Sequence, residues 1–84
     1  MENENVYSTK DIYLASALVA SNFELQTLEK RGKNFYFLFK KQSLIDISSN
    51  IDDFVNKYWG GMLIVDAKTL FSSFRELKNR IYNQ

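Results

Sequence analysis

Residues 23–41, FELQTLEKRGKNFYFLFKK, form two alternating, aromatic-rich runs on either side of a turn that contains a glycine. This pattern predicts a β-hairpin. Phe35, Phe37 and Phe39 fall on one face of the second strand, and Tyr36 falls on the other. Three phenylalanines on a solvated face would favour aggregation, so other elements must cover them. The hairpin therefore restricts the fold to a sheet packed against helices.

Three segments outside the hairpin have helical periodicity. The first begins at STKD with Ser8 as its predicted N-cap and ends at Ser21-Asn22. The second runs from its predicted N-cap, Ser43, to Trp59, and the third follows Asp66, which is also a good N-cap residue. Their apolar stripes comprise Ile12, Leu14, Ala15, Leu18 and Val19, then Leu44, Ile47, Ile51, Phe54, Val55 and Tyr58, and finally Leu70, Phe74, Leu77 and Ile81.

The segment 62–65, MLIV, is a short apolar run between two glycines and an aspartate. Its length and its bracketing residues predict a strand that is buried on both faces. The predicted order is α-β-β-α-β-α, an α+β fold in which a three-stranded sheet packs against helices. A chain of 84 residues favours one domain over 1–84, with residues 1–6 loosely held.

The composition excludes several classes of protein. The chain has no cysteine and no histidine, which removes disulfides, typical zinc sites and the commonest general base. The start MENENVYSTK is polar and acidic, unlike a signal peptide, and the apolar runs are too short to span a bilayer. We therefore expect a cytoplasmic protein that is not an enzyme and that uses no cofactor and no metal.

The glycines Gly60-Gly61 do not form a phosphate-binding loop. Such a loop follows a strand and leads into a helix, whereas here a helix precedes the glycines. The carboxylate of Asp66 would also occupy the anion position at the next helix. One of the two glycines is expected to be the left-handed residue that ends the second helix. Trp59 lies at the edge of that helix's stripe, where it either packs inward or anchors a partner.

Two basic regions are candidate binding surfaces, although the net charge is only +1. Aromatic residues on a sheet beside basic loops are typical of folds that stack single-stranded nucleic acid, and Tyr36 is the aromatic available for this. The last helix has a flank on which basic and aromatic residues interleave, suited to phosphates, to an acidic partner or to solvent alone. The hairpin tip contributes Lys30, Arg31 and Lys33, and the helix flank contributes Lys68, Phe71, Arg75, Lys78 and Tyr82.

Catalysis and metal binding have little support in the sequence. Asp46, Asn50 and Asp53 share one side of the second helix and could hold a hard cation only weakly, because such a cation needs more oxygen ligands. A solvated helix face explains these residues more simply. No base lies near Ser48 or Ser49 in the sequence.

The two ends of the chain resemble a family of short uncharacterised bacterial and phage proteins, classed as a domain of unknown function. The resemblance covers most of the chain and implies a complete one-domain protein from a phage or an integrated element, with no activity to carry over. Gly60 departs from the polar residue that the family has at its position. The matching residues are Tyr7, Ser8, Thr9, Asp11, Tyr13, Leu14 and Ala15, followed by Trp59, Gly61, Val65, Asp66, Phe71, Arg75, Leu77 and Lys78.

From these observations the sequence predicts a small binding module. The first expectation is DNA or RNA binding through the hairpin tip and the basic flank of the last helix. The alternative is a protein-interaction module, either an accessory protein that docks on a host protein or a homodimer, using Trp59, Phe71 and Tyr82.

Overall fold

The computed structural model describes residues 6–43 and 50–83. The predicted class is confirmed, since three helices pack with a three-stranded sheet that contains the hairpin. The predicted hairpin turn is also confirmed, with its glycine, Gly32, at a φ of +61°. In chain order the elements are β1 (Val6–Thr9), α1 (Ile12–Ala20), β2 (Phe23–Arg31), β3 (Asn34–Ser43), α2 (Ile51–Trp59) and α3 (Ala67–Tyr82).

The sheet is antiparallel and has the order β1-β3-β2, so that β3 lies in the middle. In β1, Tyr7 lies opposite Phe39 and Thr9 lies opposite Phe37. Side chains at opposed positions share a face, and β1 therefore extends the face that carries the hairpin phenylalanines. Val6 belongs to this strand, so the prediction that residues 1–6 are loosely held is wrong for Val6; residues 1–5 lie outside the described part of the chain.

The core forms where α1 covers the phenylalanine face of the sheet. Phe37 and Phe39 are buried as predicted, and Phe35, nearer the hairpin tip, is half-buried. α2 adds an edge-to-face contact between Phe54 and Phe23, with ring centres 5.3 Å apart. α3 packs mainly on α1. The buried cluster comprises Leu14, Ala15, Leu18, Phe23, Phe37, Phe39, Ile51 and Leu77.

The first helix begins three residues later than predicted. Ser8 is not its N-cap, because Ser8 lies in β1 opposite Leu38. Asp11 takes this role, and its carboxylate accepts hydrogen bonds from the backbone N–H groups of Tyr13 and Leu14. The predicted end is confirmed, since Asn22 has the left-handed conformation with a φ of +71°.

The second helix is shorter in the described chain than predicted. Ser43 is not its N-cap, because β3 extends through Ser43. Asn50 caps α2 instead, with its side-chain oxygen accepting from the N–H of Asp52. The predicted stripe is confirmed at the buried Ile51 and at the half-buried positions that follow it. Its earlier positions, Leu44 and Ile47, lie outside the described residues.

The largest correction concerns residues 62–65, which do not form the predicted buried strand. α2 ends in a Schellman motif, in which Met62 N–H donates to the Lys57 carbonyl and Gly61 N–H donates to the Tyr58 carbonyl. Gly61 is the predicted left-handed residue, with a φ of +71°. The third strand of the sheet, which the sequence predicts at residues 62–65, is formed instead by β1.

Asp66 starts α3 as predicted. Its carboxylate accepts hydrogen bonds from both the N–H and the hydroxyl of Thr69. These bonds hold the pKa of Asp66 below its ordinary value. The start of α3 is thus already occupied by a negative charge, in agreement with the argument against a phosphate at this position.

We expect Gly61→Ala to destabilise the protein by about 1–2 kcal/mol, because an alanine is strained in the left-handed region. No atom lies within 4 Å of the Cβ that this substitution adds, so the effect is purely conformational. Gly61→Asn is the matched control and should cost less, since asparagine tolerates this conformation. Urea unfolding would measure both variants; equal losses would contradict the role given to Gly61.

Candidate functional site

Residues 62–66 link two fixed points, the Schellman turn and the Asp66 cap, and expose large apolar side chains between them. Ile64 is 94% exposed and Met62 is 76% exposed. Leu63 and Val65 are half-buried and turn toward the helices. The four side chains therefore alternate between solvent and protein, and half of this apolar segment is left uncovered.

Leu63 and Val65 form one wall of a groove of about 440 Å³ against α1 and α3. On the helices, Tyr13 and Phe74 are stacked with ring centres 5.5 Å apart and planes 3° apart. The buried hydroxyl of Ser16 donates to the Ile12 carbonyl, so it is not free to bind a ligand. The groove is lined by Tyr13, Ser16, Ala17, Tyr58, Gly61, Leu63, Val65, Leu70, Phe71 and Phe74.

The tyrosine at the α2 end of the groove stays uncharged at neutral pH. Burial, with smaller contributions from the Asp11 carboxylate and from Tyr13, raises the pKa of Tyr58 above its ordinary value. Tyr58 also packs edge-to-face against Trp59, with ring centres 5.0 Å apart. The floor and walls of the groove therefore offer apolar surface and no formal charge.

Several large aromatic side chains are exposed close to this groove. Tyr13 and Phe71 line it and are nevertheless mostly exposed. Trp59, which the sequence left open between packing and recognition, is 67% exposed and lies beside Tyr58. The interpretation that Trp59 packs inward is therefore wrong. A small domain rarely leaves so many large apolar side chains together in solvent, and such patches mark interaction sites.

Positive charge borders the groove on the α3 side. Lys68, Arg75 and Lys78 are exposed, and within the described part of the chain none forms an ion pair with a carboxylate. The Lys78 ammonium lies 5.5 Å from the centre of the Phe74 ring, which lines the groove. The predicted basic flank of α3 is thus exposed, and it adjoins an apolar surface that the sequence did not predict.

One side of α3 faces β2, the strand that leads to the hairpin tip, because Glu76, Asn79 and Arg80 line a second groove together with residues 26–28. At 100° per residue, Phe71 and Lys78 lie on a different side of the helix. Arg75 lies only about 40° from Asn79, and Lys68 lies between these two residues. The basic flank of α3 therefore extends from the apolar groove toward the side that faces β2.

The hairpin tip presents an exposed basic cluster, as predicted. Lys30, Arg31 and Lys33 are all exposed. The Arg31 guanidinium lies 4.7 Å from the centre of the Tyr36 ring and forms an ion pair with Glu29. The half-buried Tyr36 ring therefore already carries a cation, where a stacking platform for a base would need an open face.

The described residues offer no metal site and no membrane span. Residues 6–43 and 50–83 contain no cluster of three potential metal-ligating side chains. Of the three residues considered as weak cation ligands on the second helix, Asn50 caps α2, Asp53 is exposed, and Asp46 lies outside these ranges. None of the described helices is long and apolar enough to cross a bilayer.

Comparisons of the chain with protein-family models, with curated proteins and with solved structures found no match. The resemblance to a family of unknown function therefore stays a prediction.

Of the ten residues that line the groove, only Phe71 was predicted from the sequence as a site residue. The sequence predicted a helix and a family motif at Tyr13, and a buried strand at Leu63 and Val65. None of these three residues was predicted to belong to a site. One signal was available in α1, whose residues 12–20 carry no charge on any side. A helix that is apolar all round must contact more than one neighbour. The second contact of α1 is with α3, and the groove opens beside it.

The exposure of residue 64 gives a direct stability test. We expect Ile64→Ser to change the free energy of unfolding by no more than about 0.5 kcal/mol, because the side chain is almost fully in solvent. Ile51→Ala, at a fully buried position, should cost about 2–5 kcal/mol. Chemical denaturation measures the free energy of unfolding of both variants. A large loss of stability in Ile64→Ser would show that residue 64 is buried, as the predicted strand required.

Proposed function

We propose that this chain is a protein-interaction module that docks a partner segment in the groove between α1, α3 and residues 62–66. The observation that carries the proposal is the group of large apolar side chains exposed around one groove. Burying one such side chain is worth about 1.5–3 kcal/mol, so a partner that covers several of them gains substantial affinity. The volume of the groove, about 440 Å³, suits a few inserted side chains.

Charge defines the partner further. Lys68, Arg75 and Lys78, which border the groove, form no ion pair with a carboxylate among the described residues. The nearby Asp66 carboxylate already accepts hydrogen bonds from Thr69. Complementary potentials across an interface speed association and suppress wrong partners. The segment that fits carries apolar side chains with carboxylates beside them, and it belongs to another protein.

A second copy of this chain fits the groove less well. In a symmetric dimer the same patch lies on both sides of the interface. Lys68, Arg75 and Lys78 of both copies would then lie in one interface, and like charges facing each other are unfavourable. The charges on α3 itself are unbalanced in the same way, with four basic residues against Glu76 alone.

Synthetic peptides test the docking site. A short peptide of Leu and Glu should bind the full chain, measured by fluorescence anisotropy, and the equivalent peptide of Leu and Lys should not. Phe71→Ala should weaken binding about tenfold or more, because Phe71 lines the groove. Tyr82→Ala is the matched control, since Tyr82 is an aromatic residue of similar exposure on the same flank but does not line the groove.

Three results would contradict the proposal. They are the absence of binding by the Leu and Glu peptide, equal binding of both peptides, and equal losses from Phe71→Ala and Tyr82→Ala. Self-association of the chain at the peptide-binding concentration, measured by sedimentation and lost in Phe71→Ala, would favour a homodimer instead.

Nucleic-acid binding is the second candidate, and the exposed Lys30, Arg31 and Lys33 favour it. It predicts that a single-stranded oligonucleotide binds with an affinity that falls steeply as salt rises. Lys33→Glu at the tip should weaken this binding for every sequence tested, whereas Lys57→Glu, an exposed position on α2, should have a smaller effect. No retention of the oligonucleotide at low salt would remove this candidate.

A further inference from the structure

The backbone of residues 63–65 has no hydrogen-bond partner in the described chain. The bonds of the Schellman turn end at Met62, whose N–H donates to the Lys57 carbonyl over 2.9 Å. The bonds of α3 begin at Asp66, whose carbonyl accepts from Leu70 N–H, also over 2.9 Å. Between these residues, Leu63, Ile64 and Val65 make no backbone hydrogen bond to any part of the chain that the structure describes. Three consecutive residues thus keep their N–H and C=O groups available.

The same residues have the side-chain pattern of a strand. Exposure alternates along the segment, with Met62 and Ile64 outward and Leu63 and Val65 in the groove. A period of two is the geometry of a β-strand. Ile and Val are also residues that strands prefer. The segment has the composition and the alternation of a strand, and it pairs with no strand among the described residues.

No place beside the middle strand is left for this segment. β3 already pairs with β1 on one side and with β2 on the other. The ends of the segment are fixed by the Gly61 turn and by the Asp66 cap. Unpaired main-chain groups beside pockets for alternate side chains bind extended peptides, because main-chain hydrogen bonds give affinity and the pockets give specificity.

We propose that the partner segment binds as a β-strand paired with residues 63–65, and that its alternate side chains enter the groove. This inference rests on the proposed function of the groove and specifies the conformation of the ligand. The partner segment then needs apolar residues such as Leu that alternate with Glu. Its apolar side chains enter the groove, and its carboxylates lie within reach of Lys68, Arg75 and Lys78 on α3. An amphipathic helix would use the groove but would leave the backbone of 63–65 unpaired.

Two peptides of identical composition separate these alternatives. In the first, Leu and Glu alternate; in the second, the leucines have helical spacing. We expect the alternating peptide to bind at least about tenfold more tightly, because only its side-chain period matches that of the segment. Equal affinity, or tighter binding of the helical peptide, would overturn the strand inference and leave the docking groove intact.

Amide exchange provides the direct readout. With the alternating peptide bound to the full chain, NMR should show slower exchange in an alternating pattern, because one edge of a strand presents every second residue for pairing. Either Ile64 alone is protected, or Leu63 and Val65 are protected and Ile64 is not. Uniform exchange at all three residues with the peptide bound would overturn the inference. Binding of neither peptide would overturn the proposed function and this inference together.

Discussion

The pairing of β3 with strands on both of its sides determines the rest of the structure. Tyr7 of β1 lies opposite Phe39 of β3 on the face of the sheet that also carries Phe37, and α1 buries that face with Leu14 and Leu18. Because β1 occupies the second edge of β3, residues 62–65 cannot join the middle of the sheet. They are held instead between the end of α2 and the start of α3, where half of their apolar surface meets the groove and half meets solvent.

Local features were predictable because each depends on a few neighbouring residues. The hairpin follows from the alternation of residues on either side of Gly32. The left-handed conformations follow from the residue types at Asn22 and Gly61, and the start of α3 follows from the N-cap Asp66. The third strand was not predictable in this way. VYST is only four residues long and its serine and threonine also suit a helix start, whereas MLIV has a stronger strand composition. A strand requires a neighbour, and the position of the neighbour is a property of the whole fold.

The candidate site was predictable on one side only. The spacing of Phe71, Arg75 and Lys78 on a helix identifies one flank of α3 without any knowledge of the fold. The facing wall, Leu63 and Val65, depends on where the chain goes after the Schellman turn. Tyr13 becomes part of the site only because it stacks on Phe74 from another helix. This contact also gives the basic flank its apolar neighbour.

The central claim is that an apolar, strand-like segment stands unpaired beside a groove in the free protein. Backbone amide exchange of the free chain, followed by NMR, tests this claim most directly. We expect rapid exchange at Leu63, Ile64 and Val65, close to that of an unstructured chain, and slow exchange at Phe37 and Phe39 in the middle strand. Protection of residues 63–65 at the level of β3 would contradict the account, because it would show that the segment already has a partner strand.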